Sequence, residues 1–209
     1  MTLIARRDSD GHEFVVWSQE QAGTCAVAAV WMARSMVTQS TLHESEWELA
    51  WRMYHNAVAG GTWRMPSSNP AVAPPAQSFD HRQFQPGRHT FENTVTRSGF
   101  DSNHVCTMLI QEGFSAENIR RTDTNVLTID TNRLCPTTPA IVEVGWYRPT
   151  GQGAAELSSA HAIVAARKTN TGSIVYLDPA YGRLVERLND GRYGDNGYID
   201  SVTYVSRRA

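Results

Sequence analysis

The stretch that decides the fold reads Gln19-Glu-Gln-Ala-Gly-Thr-Cys25-Ala-Val-Ala-Ala-Val30. From Cys25 to Val37 the chain is rich in alanine and apolar nearly all round, which predicts a buried helix that begins at the cysteine. A sulfur in that place lies near the positive end of the helix dipole, which favours the thiolate. The side-chain amide of Gln19 and the backbone N–H of Cys25 are suitable donors to an oxyanion formed beside the sulfur. The simpler interpretation is a small cysteine buried in a core helix.

Further helices are predicted downstream of this stretch. One runs from about Leu42 to Ala57, because Thr41 and Glu44 have capping-box spacing and apolar residues then recur at helical intervals. Residues 60–88 are rich in proline and serine, which predicts a long, mobile loop near the rim of a cleft. Another helix is predicted at about residues 103–112.

The second half of the chain consists of short β-rich runs separated by Gly, Asn, Asp or Pro. These runs are residues 125–130, 140–146, 161–166, 173–177, 183–187 and 199–205. The pattern predicts an α+β fold. A helical lobe, about residues 17–120, is expected to pack on an antiparallel β-sheet lobe, about residues 121–209, within a single domain covering residues 1–209.

Composition excludes several classes of protein. The chain has 209 residues with 41% hydrophobic and 19% charged residues, which is typical of a soluble globular domain, and no apolar run is long enough for a membrane anchor. A net charge of -2 without basic clusters argues against a nucleic-acid partner. The N-terminus lacks the pattern of a cleaved signal peptide. Three cysteines without a CxxC pair argue against a disulfide framework and a zinc site, so we expect a reducing, cytoplasmic compartment and no metal.

Two further residues in the second half carry chemistry. His161 is predicted to open a strand directly after the small polar segment 157–160. Asp178 ends the next predicted strand, so a hairpin would bring it close to His161. A carboxylate there would fix the tautomer of the ring and stabilise its imidazolium form. Taken singly, each residue has a plainer role: a strand-end histidine bonded to solvent, and an aspartate that starts an Asp-Pro turn.

The order and spacing of these motifs resemble the papain-like cysteine peptidases. The resemblance is closest to the peptidase C39-like branch, and bacterial effector proteases have a similar layout. It covers about residues 17–35 and 137–182, whereas residues 40–125 match no pattern. The motifs are Gln19-x5-Cys25, Thr138-Pro-Ala-Ile-Val142, His161-Ala-Ile-Val-Ala165 and Val175-Tyr-Leu-Asp-Pro-Ala-Tyr-Gly182. One departure concerns substrate preference: Ala26-Val27 replaces the glycine that usually follows the cysteine directly, or the small-aromatic pair that usually surrounds it.

The resemblance implies a thiol protease in which Cys25 is the nucleophile, His161 the general base, Asp178 the residue that orients the histidine and Gln19 an oxyanion-hole donor. It implies hydrolysis of a protein or peptide amide bond through a thioester, without a cofactor. The partner would be a peptide or protein substrate, and a host protein if the chain is exported as an effector without a cleaved signal. A deamidase, an acyl or amine transferase and an inactive papain-like binding module remain alternatives. Cys106 is expected in core packing and the third cysteine, Cys135, in a turn.

Overall fold

The computed structural model describes residues 2–21, 23–59, 99–122, 125–149 and 155–208. The whole of the predicted proline-rich loop, residues 60–88, therefore lies outside the described residues. The helices in the described ranges are α1 (Cys25–Thr38), α2 (Glu46–Ala59) and α3 (Ser102–Gln111). The strands are β1 (Thr2–Arg7), β2 (Glu13–Ser18), β3 (Phe114–Arg120), β4 (Ala140–Pro149), β5 (Ala155–Lys168), β6 (Ile174–Asp178), β7 (Arg183–Arg187), β8 (Arg192–Tyr193) and β9 (Gly197–Arg207). None of the described helices is long and apolar enough to cross a membrane.

Helix α1 is buried along most of its length, as its composition predicts. Every residue from Ala26 to Ala33 is at most 1% exposed. Small alanine side chains let neighbouring elements approach closely, and Trp31 fills the space towards β2 by packing edge-to-face on Trp17 at 4.9 Å between ring centroids. The helix packs against α2, β2 and β5. The prediction of a central helix that begins at Cys25 is confirmed.

The strands of the described residues form one large antiparallel sheet and one separate hairpin. The order in the large sheet is β3-β9-β4-β5-β6-β7, with β8 paired to β9. Alternate residues of the central strands enter two cores: Val164 and Leu177 join the core shared with the helices, whereas Ile163 and Tyr176 join a second core on the other face. The α+β class is confirmed. Strand β3, N-terminal to the predicted start of the β lobe, belongs to the large sheet through its pairing with β9.

The hairpin of β1 and β2 is absent from the sequence prediction. The two strands pair antiparallel from Thr2 with Ser18 to Arg7 with Glu13. Their turn contains Asp10-Gly11, and Gly11 has a φ of 88°, a conformation that glycine adopts without steric cost. An Asp-Gly pair between two β-rich runs is a hairpin signal, so the pattern was present in the sequence.

The predicted start of the second helix is wrong. Helix α2 begins at Glu46, and Thr41 lies outside it. The capping box is made instead by Ser45 and Glu48: Ser45 Oγ accepts from the N–H of Glu48 at 3.2 Å, and the Ser45 N–H donates to the Glu48 carboxylate at 2.7 Å. Glu44 pairs with arginine side chains instead of capping the helix.

The run 125–130 is not a strand. Its backbone is bound by side chains from elsewhere rather than by a neighbouring strand. The amide of Asn189 binds both the N–H and the carbonyl oxygen of Ile129, at 2.9 and 2.7 Å, and Tyr204 Oη accepts from the N–H of Asp130 at 2.7 Å. These partners satisfy the backbone that a β-ladder would otherwise satisfy.

Strand β5 is longer than predicted. The polar segment 157–160 is part of the strand and pairs with β4, so His161 lies inside β5 and does not open it. The neighbouring strand β6 pairs with β5 between Val164 and Lys168. His161 therefore lies in β5 just before the part of that strand that pairs with β6, and the side chain of Asp178, at the end of β6, reaches it there.

Candidate active site

The predicted nucleophile, Cys25, is the first residue of α1 and is partly buried. The loop before it is organised around the carbonyl oxygen of Gln21. This oxygen accepts from Gln19 Nε2 at 2.7 Å, from Thr24 Oγ1 at 2.8 Å and from the N–H of Thr24 at 3.3 Å. Helical hydrogen bonding begins with the Ala28 N–H, which donates to the Thr24 carbonyl oxygen at 3.0 Å. Cys25 thus lies at the positive end of the helix.

His161 connects the cysteine to the carboxylate. Its Nε2 lies 2.7 Å from Asp178 Oδ1, and Cys25 interacts with the same ring through hydrogen bonding and charge that act on the pKa of His161. Because Nε2 faces Asp178, Nδ1 is the ring nitrogen left for the sulfur. Burial alone would lower the pKa of His161, but the hydrogen bonds and charges of Asp178 and Cys25 raise this pKa to about 9. The ring is therefore an imidazolium at neutral pH.

Asp178 is the last residue of β6, and its side chain is only 1% exposed. Oδ1 accepts from His161 and from the N–H of Ala180 at 2.8 Å, while Oδ2 accepts from Tyr193 Oη at 2.7 Å and from Arg183 Nη2 at 2.9 Å. Burial alone would raise the pKa of Asp178, but these hydrogen bonds and the charge of His161 hold it below its ordinary value. The carboxylate therefore stays ionised beside the imidazolium.

Sequence reasoning missed Tyr193 and Arg183, the two residues that hold Oδ2. Arg183 had a detectable signal, because a tight turn between β6 and β7 pairs it with Asp178. Tyr193 lies in β8, a two-residue strand next to a Gly-Asp turn, and no local pattern connects it to Asp178. Its hydroxyl is buried against the carboxylate, which raises its pKa, so it stays a donor.

Gln19 lies between the two halves of the site. Its backbone N–H donates to the carbonyl oxygen of Pro179 at 3.0 Å, directly after Asp178, while its side-chain amide binds the loop that leads to Cys25. The turn after Pro179 contains Tyr181, which is 81% exposed and has a φ of 63°. Left-handed backbone at a tyrosine is uncommon and costly. The structure thus joins His161 to Asp178 directly and links Cys25 to the same ring through its effect on the pKa, with Gln19 bound to both flanking loops.

The remaining cysteines have different surroundings. Cys106 Sγ lies 3.6 Å from the carbonyl oxygen of Ala116, and burial raises its pKa. Cys135 is exposed. Burial acts to raise its pKa as well, but hydrogen bonds from Thr137 and Thr138 outweigh that effect and lower it. Cys135 is therefore the natural comparison for any test of the reactivity of Cys25.

One group of possible metal ligands occurs among the described residues, and it includes none of Cys25, His161 and Asp178. Ligand atoms of Asp8, Asp10 and His12 lie within 4.8 Å of one another. Both carboxylates already bind the guanidinium of Arg167, at 2.6 and 2.8 Å. A cation is therefore supplied by the protein itself, and the group fastens the β1–β2 turn to β5.

Comparison with protein-family models gives no match, and comparison with curated proteins gives none either. Any assignment of activity therefore depends on the geometry of the site and on the sequence resemblance described above.

Proposed function

We propose that this protein is a papain-like cysteine hydrolase, a peptidase that cleaves a protein or peptide amide bond. The observation that carries the proposal is the pairing of His161 with Asp178: Nε2 of His161 lies 2.7 Å from the buried carboxylate, and Cys25 acts on the pKa of the same ring. A nucleophile, a base and a group that orients the base are the parts that acyl transfer requires. The α+β architecture, with the cysteine on a central helix and the other two residues on the sheet, is compatible with a papain-like layout.

In the proposed mechanism the Cys25 thiolate attacks the substrate carbonyl carbon, and the carbonyl π electrons move to the oxygen. The backbone N–H of Cys25 and the side-chain amide of Gln19 are the proposed donors to this oxyanion. As the tetrahedral intermediate collapses, Nδ1–H of His161 gives its proton to the leaving amine, and a thioester remains on the sulfur. His161, now neutral, takes a proton from water as the water attacks the thioester, which releases the acid and the thiolate.

Asp178 orients the ring and stabilises its charged form throughout this cycle. Oδ1 keeps Nε2 in its protonated tautomer, so Nδ1 faces the reacting atoms. Tyr193 and Arg183 in turn hold the carboxylate from the other side. The buried pair also explains why His161 is an acid in the resting state, since a ring with a pKa of about 9 carries its proton at neutral pH.

The same three residues support other reactions after the thioester. If the thioester forms from a glutamine side chain, its hydrolysis by water gives deamidation. If an amine attacks the thioester in place of water, the acyl group is transferred to that amine. An inactive binding module is the alternative outside enzymes. We propose a peptide or protein substrate, in a reducing compartment or in a target cell after export.

These outcomes are separated by exposing a denatured proteome to the wild-type protein and to a Cys25→Ala variant, followed by mass spectrometry. New N-termini that require Cys25 indicate a peptidase. Glutamine converted to glutamate indicates a deamidase, and new isopeptide bonds indicate a transferase. If the two proteins give identical peptide sets and neither turns over p-nitrophenyl acetate, an activated ester that needs little substrate recognition, the proposal of a hydrolase is wrong.

Replacement of Gln19 by alanine is expected to lower kcat by about 10²- to 10³-fold, the usual cost of one lost oxyanion donor. The loss should fall on the acylation rate with p-nitrophenyl acetate. Gln21→Ala is the matched control, because its backbone carbonyl, which organises the loop, is kept. An unchanged kcat in Gln19→Ala together with a reduced one in Gln21→Ala would move the donor role to Gln21.

A further inference from the structure

A buried carboxylate accepts hydrogen bonds from residues that lie between Gln19 and Cys25. Glu46 is the first residue of α2, and it is only 1% exposed. Its Oε2 accepts from the backbone N–H of Glu20 at 2.8 Å, and its Oε1 accepts from the N–H of Gln21 at 3.2 Å. Oε1 is also hydrogen-bonded to the hydroxyl of Thr24. All three contacts fall within the segment that separates the proposed oxyanion donor from the proposed nucleophile.

These contacts fix the loop at both ends. Two successive N–H groups are held directly after Gln19, and the hydroxyl is held directly before Cys25. The single hydrogen of the Thr24 hydroxyl also serves the carbonyl oxygen of Gln21, at 2.8 Å, so Glu46 and Gln21 share it. The loop carbonyl that receives the Gln19 amide is thereby tied to the same carboxylate.

Keeping a carboxylate in this place is costly. Removing an ionisable group from water disfavours its charged form, and burial indeed raises the pKa of Glu46 even though Thr24 and Gln21 oppose that shift. A neighbouring glutamate of the same helix, Glu48, is exposed and provides the capping interaction with Ser45. Capping therefore does not require a carboxylate at residue 46.

We propose that Glu46 is a positioning residue that holds Glu20, Gln21 and Thr24 so that the amide of Gln19 and the backbone N–H of Cys25 point at one oxyanion. The inference rests on the proposed function. Glu46 touches no reacting atom and acts through the loop. A glutamine at this position offers one acceptor oxygen in place of two, and its NH₂ group would face a backbone N–H, so one end of the loop loses its partner.

The test compares Glu46→Gln with Glu48→Gln. Glu48 lies two positions further along the same first turn, and its side chain is exposed, so the second change is a matched control. Glu46→Gln is expected to lower kcat for p-nitrophenyl acetate by roughly 10- to 100-fold, because a small misplacement of catalytic donors is costly. The rate of Cys25 alkylation by iodoacetamide should stay within about twofold, because alkylation forms no oxyanion. Glu48→Gln should change neither rate.

A second variant approaches the same contact from the loop and keeps the test decisive if Glu46→Gln fails to fold. Thr24→Val preserves the shape of the side chain and removes the hydroxyl, and it should show the same separation of a lowered kcat from an unchanged alkylation rate. Thr24→Ser, which restores the hydroxyl, should recover kcat. Wild-type kcat in a folded Glu46→Gln or Thr24→Val protein would overturn the role of Glu46 and leave the proposed function intact. Absence of turnover in the wild-type protein would overturn both.

Discussion

Replacement of Cys25 by alanine is expected to abolish turnover of p-nitrophenyl acetate, a loss of more than about 10⁴-fold, because no thioester can form. The fold should survive. Cys25 is a small, partly buried side chain at the start of an alanine-rich helix, and alanine has the highest helix propensity. We expect the free energy of unfolding to change by less than about 1 kcal/mol in urea titrations.

The control for this experiment is Cys135→Ser, which removes an exposed thiol that can react with an activated ester without being part of the site. Its turnover should equal that of the wild-type protein. Turnover that persists in Cys25→Ala and disappears in Cys135→Ser would assign the reaction to the thiol of Cys135 and contradict the proposed site. Unfolding of Cys25→Ala, seen by circular dichroism, would make Cys25 a structural residue.

Replacement of Asp178 by alanine should lower kcat by about 10³- to 10⁴-fold, since the ring of His161 loses both its orientation and its compensating charge. The same change leaves the buried hydroxyl of Tyr193, the Ala180 N–H and the exposed guanidinium of Arg183 without their acceptor. Breaking the buried pair of His161 and Asp178 in this way costs about 3–5 kcal/mol of stability. Both effects are measured on one protein, by kinetics and by urea unfolding.

Asp178→Asn should be milder, because the amide oxygen can still accept from His161 and Ala180 N–H. The NH₂ group would then face Tyr193 and Arg183, which donate to Oδ2 in the wild-type protein. The hydroxyl of Tyr193 can turn and accept a hydrogen bond from the NH₂ group, but the guanidinium of Arg183 has no acceptor. Losing the charge also removes an interaction that raises the pKa of His161, so the alkaline limb of the rate profile should move from about pH 9 towards lower pH. Full kcat in a stably folded Asp178→Ala protein would reduce Asp178 to a turn residue.

Local patterns were sufficient for the central helix and for the pairing of His161 with Asp178. An apolar, alanine-rich run can satisfy its surface only inside a core, so the position of α1 follows from composition. Two successive β-rich runs with a Thr-Asn-Thr-Gly turn form a hairpin, and this brings the histidine and the aspartate to the same end. The start of β5 could not be predicted from these patterns, because the strand extends back through the polar segment 157–160 by pairing with β4.

The supporting contacts of Glu46 and Tyr193 were beyond sequence reasoning because they join residues that are distant in the chain. Glu46 is hydrogen-bonded to residues 22 to 26 positions earlier in the chain. Tyr193, in β8, donates to Asp178 at the end of β6. No periodicity reports such contacts, since each depends on how elements pack. The run 125–130 failed for the same reason: its β propensity was overridden by side-chain partners, above all Asn189.

The most direct measurement for the proposed triad is the rate of iodoacetamide alkylation of each cysteine at pH 6, followed by peptide mass spectrometry. His161, with a pKa of about 9, is protonated at this pH, and a cysteine next to a protonated histidine is the kind that reacts fast with alkylating reagents. Cys25 should therefore react faster than Cys106 and faster than the exposed Cys135. In a His161→Ala variant the rate at Cys25 should fall at least about tenfold, while the rate at Cys135 stays unchanged. A Cys25 that reacts no faster than Cys135, at a rate that does not depend on His161, would contradict the proposed site.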